Sequence, residues 1–320
     1  MPAVLVYVTT SDGAADEVAL QALALGAQVA AGGPVHALVI GDAVAAASLG
    51  AYGASQVHVA EHASLAAFAP DARARVIADC AASVGAAVIV GPGTEGGNTV
   101  LARVAARADL PFSANCSSAS GLNPMSVTRS RWGGSLAEAA RLHGDRVVIS
   151  AAPHTVAINQ TGGSAAVSTF APALDDADLV VRVVDKVAPA ASGISLAEAK
   201  VVVSGGRGVG SEAGFAPVED LAGLLGAAVG CSRAVTIAGW RSHTAQVGQT
   251  GTKIAPDLYI AAGISGATQH MAGCRGAKKI LAINKDNEAP IMGDADYAVI
   301  GDLFEVLPAI SAEIRRVRGA

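Results

Sequence analysis

Between Lys200 and Asp302 the chain repeats one pattern: a short apolar run that stops on glycine or a polar residue, then a stretch long enough for a helix or crossover. The runs are Lys200–Ser204, Gly230–Ala234, Leu258–Ala262, Lys279–Ile283 and Tyr297–Ile300. Helices are predicted over Val218–Ala228, from near Ser265, and over Leu303–Val317. Apolar runs separated in this way belong to parallel strands covered by helices. Ligands of such sheets sit outside the carboxyl ends of the strands. Here those ends read Ser204-Gly205-Gly206-Arg207-Gly208, Ser232-Arg233, Gly263-Ile264-Ser265-Gly266, Asn284-Lys285-Asp286 and Gly301-Asp302. Together they predict one ligand site.

The first half shows a similar alternation. Val4–Val8, Val35–Ile40, Gln56–Ala60 and Ala86–Val90 read as strands, with a helix from the Thr10–Gly13 turn to about Ala31 capped by Ser11 or Asp12. Beyond Pro111 the rhythm weakens. Ser126–Ser130, Arg146–Ser150 and Leu179–Val184 read as strands, for which an antiparallel extension is one arrangement, and Asn159–Pro172 reads as an exposed loop. A Pro-, Ala- and Gly-rich stretch at Val187–Leu196 marks a boundary, so the expectation is two α/β domains, 1–190 and 191–320.

Composition narrows the function. Hydrophobic residues are 52% of the 320 and aromatics only 3%, which gives a large core of small side chains. No apolar run approaches the roughly 18 residues of a membrane-crossing helix. The opening MPAVLVYVTTSDG reads as a strand rather than a leader, which points to the cytoplasm. A net charge of −5 argues against a nucleic-acid surface. The four cysteines are scattered, with no metal-ligand spacing. GxSxG, HExxH and a Walker lysine loop are absent from the sequence, and GPGTEGG (Gly91–Gly97) lacks the lysine of a phosphate loop.

Two strand ends look like anion cradles. Gly205, Gly206 and Gly208 would bring amides close to a phosphate beside Arg207, and Gly263, Ser265 and Gly266 precede a helix. Either stretch alone reads equally as a tight turn. Gln246-Val247-Gly248-Gln249-Thr250-Gly251 reads either as a surface turn or as a loop laid along a flat ring. His270, after Gln269, is a ligand contact or a structural hydrogen-bonder, and Arg233 needs an anionic or π partner. A cofactor cradle without an evident nucleophile suits electron transfer.

These segments resemble one family. LYIAAGISGATQHMAGCRGAKKILAIN (Leu258–Asn284) is similar to a signature of the electron transfer flavoprotein α subunit. SGGRGVGSE, GAAVGCSRA, QVGQTG, NKDNEAPI and ADYAVIGDLFEVLP follow its order and spacing over about Val201–Ile310. The resemblance implies a nucleotide-hydrolase-like N-terminal domain packed on a β subunit, and a C-terminal parallel-sheet domain that binds FAD. It implies electrons passing from flavoprotein dehydrogenases to a quinone oxidoreductase or another acceptor. It assigns Arg233 beside Ser232 to the flavin, and Thr250 beside Gln249 to flavin N5, within the loop of Gln246 and Gly248. It assigns His270 beside Gln269 to flavin O2, with positive or donor character, and Arg207, Gly263, Ser265 and Gly266 to the phosphate region. Asn284 and Asp302, with Leu303, fall around the adenosine half. Thr268, Cys231 and Trp240-Arg241-Ser242-His243 depart from the family pattern. An NAD(P)-binding module of the transhydrogenase type is the alternative enzyme reading, and an adenylate sensor a third.

Overall fold

A computed structural model describes residues 3–131, 136–184 and 194–319. They fall into two compact units, one ending at 184 and one beginning at 194. Most of the boundary region read at Val187–Leu196 lies outside the described residues.

The first unit runs β1 (Ala3–Val8), the short β2 (Thr10–Ser11) and β3 (Ala14–Ala15), α1 (Glu17–Ala30), β4 (Val35–Ile40), α2 (Ala43–Ala46), β5 (Gln56–Ala60) and α3 (Pro70–Ser83). It continues with β6 (Ala86–Pro92), α4 (Glu95–Ala108), β7 (Phe112–Ser120), β8 (Met125–Arg131), β9 (Leu136–Leu142), β10 (Val147–Ala151) and β11 (Ala166–Phe170). One sheet has the order β11-β5-β4-β1-β6-β10-β7-β8-β9. It is parallel except at β7–β8 and β8–β9. Alternate side chains of β1 enter different cores: Val4, Val6 and Val8 meet Leu23 and Leu25 of α1, while Leu5 and Tyr7 meet Ile77 of α3 and Leu101 of α4. Both faces are therefore covered, as the unbroken apolar run requires.

Several expectations change here. Neither Ser11 nor Asp12 caps α1. Asp12 and Gly13 both have positive φ, 50° and 76°, and turn β2 into β3 as in a type I′ hairpin. The helix starts after Asp16, whose carboxylate takes a hydrogen bond from the Ser11 hydroxyl at 2.6 Å. The predicted loop 159–172 contains β11, which adds parallel to β5 at the sheet edge. Its residues are mostly exposed, so it carries no apolar alternation. The predicted strand at Leu179–Val184 is not formed; a 3₁₀ turn at Asp176–Leu179, closed by an Asp175–Asp178 capping box, precedes irregular chain. β10 is parallel to both neighbours rather than part of the antiparallel extension.

The second unit runs β12 (Val201–Gly205), α5 (Ala216–Leu225), β13 (Ala228–Cys231), α6 (Arg233–Ile237), β14 (Leu258–Ala262), α7 (Thr268–Cys274), β15 (Ile280–Asn284), α8 (Ile291–Asp294), β16 (Tyr297–Ile300) and α9 (Leu303–Arg318). Its sheet, β13-β12-β14-β15-β16, is parallel throughout. Phe215, Leu221 and Leu307 pack on one face, and Met271, Ile264 and Ile291 on the other. Gly226, with φ 60°, stops α5 in a left-handed cap, so Ala228 belongs to the strand and not to the helix. That strand ends at Cys231, which leaves Ser232 and Arg233 at the head of α6 instead of inside a strand reaching Ala234.

All four cysteines are buried and unpaired. Burial pushes the thiols of Cys80, Cys231 and Cys274 up to about 12, and raises that of Cys116. Among the described residues no helix is long and apolar enough to cross a membrane.

Candidate cofactor site

From β12 the chain moves outward to β13, then crosses back to β14 and continues the other way to β15 and β16. The loops leaving β12 and β14 therefore diverge, and a crevice opens between them, the usual ligand position of an open parallel sheet.

Glycine brings these two loops together. The Gly206 amide donates to the Ala262 carbonyl at 2.8 Å, and that of Gly208 to the Gly263 carbonyl at 3.1 Å. A Cβ at Gly206 would stand 2.1 Å from the Gly263 oxygen, and one at Gly208 2.7 Å from the Gly263 Cα. Backbone touches backbone there, and no larger residue fits without separating the loops.

The third wall is the Gln246–Gly251 loop, which is an ordered platform. Val247 N donates to Cys231 O at 2.9 Å, Gln249 N to Gln269 O at 2.7 Å and Thr252 N to Gln246 O at 2.7 Å. Gln246 is buried; its Oε1 accepts from Thr236 Oγ1 at 2.7 Å and its Nε2 donates to Thr250 Oγ1 at 3.0 Å. A Cβ at Gly273 of α7 would lie 2.3 Å from Gly248 N, so helix and loop also meet through backbone. The divergent Trp240–His243 segment is tied down elsewhere: Arg241 pairs with Glu219 at 2.6 Å and sits over the Phe215 ring at 4.3 Å.

These walls enclose a cleft of about 660 Å³. Arg207, Ser232, Arg233, Gln246, Gly248, Gln249, Thr250, Gly263, Ser265, Gln269, His270 and Asn284 all line it. Three residues read as cofactor contacts do not line that cleft. Gly266, at φ 81°, is packed against the backbone of Ile291. Asp302 accepts from Phe304 N at 2.9 Å to cap α9, and pairs with Lys285 at 2.8 Å. Leu303 is buried in the apolar cluster on one sheet face. Asp286 and Ala289 line the cleft as well. The polar strand ending marked Asp286, while nothing in the sequence pattern singled out Ala289.

The charge around the cleft is distinctive. Arg207 and Arg233 line it, and neither makes an ion pair with a carboxylate among the described residues. His270 is 7% exposed, and its Nε2 is 2.7 Å from the Tyr259 hydroxyl. Its Nδ1 is buried and makes no hydrogen bond of good geometry. Burial lowers its pKa to about 4, against an opposing pull from the Val247 backbone. The ring is thus neutral at pH 7, which removes the positive character expected of it and leaves only a donor or acceptor. Among the described residues the hydroxyls of Ser232, Thr250 and Ser265 make no hydrogen bond to a histidine or carboxylate. No cluster of metal-ligating side chains occurs among the described residues.

Glycine-only loop contacts beside two guanidiniums and a polar loop that closes the third wall fit a dinucleotide. The comparisons agree. Residues 4–175 match the electron transfer flavoprotein domain, and residues 195–275 the electron transfer flavoprotein FAD-binding domain. The chain is 35% identical over 320 residues to the electron transfer flavoprotein subunit alpha of Bacillus subtilis (strain 168), covering 98% of each. It is 39% identical over 290 residues to that of Pseudomonas aeruginosa, covering 89% of this chain and 92% of the relative. With that of Paracoccus denitrificans the identity is 41% over 226 residues, or 71% and 72% of the two chains. A thiamin diphosphate-dependent enzyme from Mycobacterium smegmatis, of which this chain spans 59%, aligns at 12% identity with a TM-score of 0.24, too slight a likeness to carry an argument. The chain belongs to the electron transfer flavoprotein α subunit family and carries that family's FAD-binding domain.

Proposed function

We propose that this chain is the FAD-holding subunit of an electron carrier. It pairs one-to-one with a β subunit through its first domain, in the cytoplasm. It takes electrons from flavoprotein dehydrogenases and delivers them to a quinone oxidoreductase or a similar acceptor. The observation that carries the reading is the pair of guanidiniums, Arg207 and Arg233, without a carboxylate partner among the described residues, at a crevice where two glycine loops touch. Bound FAD supplies the ring that accepts and releases electrons.

The protein's own residues bind and orient. Arg207, with the loop amides and Ser265, holds the pyrophosphate. Gln249 and Thr250 face the N5 side from the platform, and Arg233 and neutral His270 serve the N1–C2=O edge, where a fixed positive charge and a donor favour added negative charge. Asn284, whose Nδ2 donates to Ile264 O at 3.0 Å, secures the loop on the adenosine side, with Asp302, Leu303 and Gly266 supporting that loop cluster from behind.

The test is co-purification with a β subunit of the family. The complex should be yellow, with a flavin that acid precipitation releases entirely into the supernatant. A colourless complex that retains NADP would overturn the reading.

A further inference from the structure

Arg241 stands in the segment that departs from the family pattern, and it does not line the cleft. That segment, residues 241–245, leads from α6, which begins with Arg233, into the wall formed by residues 246–251. Its other hydrogen bonds stay local: the Ser242 and Thr244 hydroxyls bond each other, and the amides of Ala245 and Gln246 donate back to Ser242 O and His243 O. Arg241 reaches further. Its Nη2 donates to Glu219 of α5 at 2.6 Å, its Nη1 donates to the Trp240 carbonyl at 2.9 Å, and the guanidinium carbon lies 4.3 Å from the centre of the Phe215 ring. Glu212 is 4.0 Å from Nη1. Phe215 is fully buried, and a Cβ at Gly205 would stand 2.7 Å from its Cε1. The ring is therefore seated on the backbone where β12 turns into the glycine loop. A planar guanidinium that is both stacked and bonded through its fork is held in one place, which an ammonium on a flexible stem is not.

We propose that Arg241 is a positioning residue for the cofactor cleft: it fastens the chain entering the 246–251 wall to α5 and to the ring behind the glycine loop, and so fixes the spacing between those two walls. The proposal rests on the reading of the cleft as the FAD site. Glu219 balances the charge of Arg241, so its part is placement rather than the field that Arg233 supplies. The wall's own bonds, from Val247 N to Cys231 O and from Gln249 N to Gln269 O, hold it to β13 and α7. Arg241 holds it on the side of α5. A wall that shifts on that side leaves Gln249 and Thr250 at a variable distance from the phosphate loop, and a dinucleotide that must touch both binds less firmly.

The experiment uses the assembled heterodimer and reads two things. The first is hydrogen exchange at the amides of Val247, Gln249 and Thr252 in flavin-free complexes. Arg241→Leu should speed it about tenfold, while the amides of β14 and β15 exchange as in the wild type. Glu219→Ala, an exposed change that favours its helix, should speed the same amides about threefold and serves if Arg241→Leu does not assemble. The second is FAD release, which Arg241→Leu should accelerate about three- to tenfold. Adding Gly223→Ala, which fills open space on α5, should restore the melting temperature and leave that release fast. Unchanged exchange at the wall in either variant overturns the proposal. So does flavin release that returns to the wild-type rate together with the melting temperature, since Arg241 would then add stability alone. Exchange is read without flavin, so a wild-type complex that fails to bind FAD counts against the cofactor reading and leaves the exchange result standing.

Discussion

The amide nitrogen of Gln246 donates to the hydroxyl oxygen of Thr250 at 3.0 Å, within the loop that forms one wall of the cleft. With its oxygen taken by Thr236 at 2.7 Å, the amide supports Thr250 from behind and leaves the Thr250 proton for the cleft. Gln246→Leu keeps the apolar volume and deletes both bonds. FAD affinity of the heterodimer, read by flavin fluorescence, should fall about tenfold, equivalent to ~1.4 kcal/mol. An unchanged affinity would mean that Thr250 is held by the loop backbone alone.

Arg233 lines the cleft without a carboxylate partner among the described residues. A guanidinium stays charged in every redox state of the cofactor, so its field favours reduction. If that interaction is worth ~2 kcal/mol, Arg233→Ala should lower the first one-electron potential by about 90 mV, and Arg233→Lys should recover part of the drop. Spectroelectrochemical titration of flavin-replete complexes measures it. An unmoved potential with FAD still bound would make Arg233 a structural residue.

The contact between Gly206 and Gly263 gives a steric prediction. Gly206→Ala places a methyl 2.1 Å from the Gly263 oxygen, so the loops must part and both thermal stability and flavin retention should drop. Gly223, inside α5 with nothing within 4 Å of its would-be Cβ, is the control. Gly223→Ala should stabilise by about 0.5–1 kcal/mol through helix propensity. Thermal melts of the two variants should move in opposite directions.

His270 also makes stability depend on pH. Its ordinary value of 6.5 is lowered to about 4 in the fold, mainly by burial. Between those values the unfolded chain binds the proton and the folded chain does not. The stabilising difference is therefore fully present above pH 6.5, is lost as pH falls toward 4, and is constant below that. The loss amounts to about 3 kcal/mol at most. Urea unfolding of the flavin-free complex at pH 7 and pH 4.5 should show it, and His270→Gln should flatten the difference. An equal pH slope in that variant would assign the effect to other groups.

How much of this was legible in the sequence depended on burial. The second unit reads well because β12, β14 and β15 are buried on both faces and appear as solid apolar runs, and because glycines mark the points where loops must touch. β11 does not read, since its Ala166–Phe170 residues are mostly exposed and join the sheet through backbone hydrogen bonds. β7 does not read either, because Phe112–Ser120 alternates serine and asparagine with small residues. Within the site, loop composition pointed to Thr250 and Arg233. The neutrality of His270 depends on its burial beside Tyr259, and the packing of α7 on the sheet decides that. Asp302 illustrates the reverse case: a polar strand ending reads as a ligand contact, yet its carboxylate is turned to cap α9 and meet Lys285.

The burial of every cysteine has a practical reach beyond stability. Reduced flavins meeting oxygen release superoxide and peroxide, and thiolates are what those oxidants attack. With three thiols pushed up to about 12 and the fourth raised, thiolate is scarce at neutral pH. The chain should survive its own by-products without sulfenylation. For the same reason it is a natural background for labelling: one cysteine introduced on an exposed surface would take up a spin label or dye while the native four stay silent.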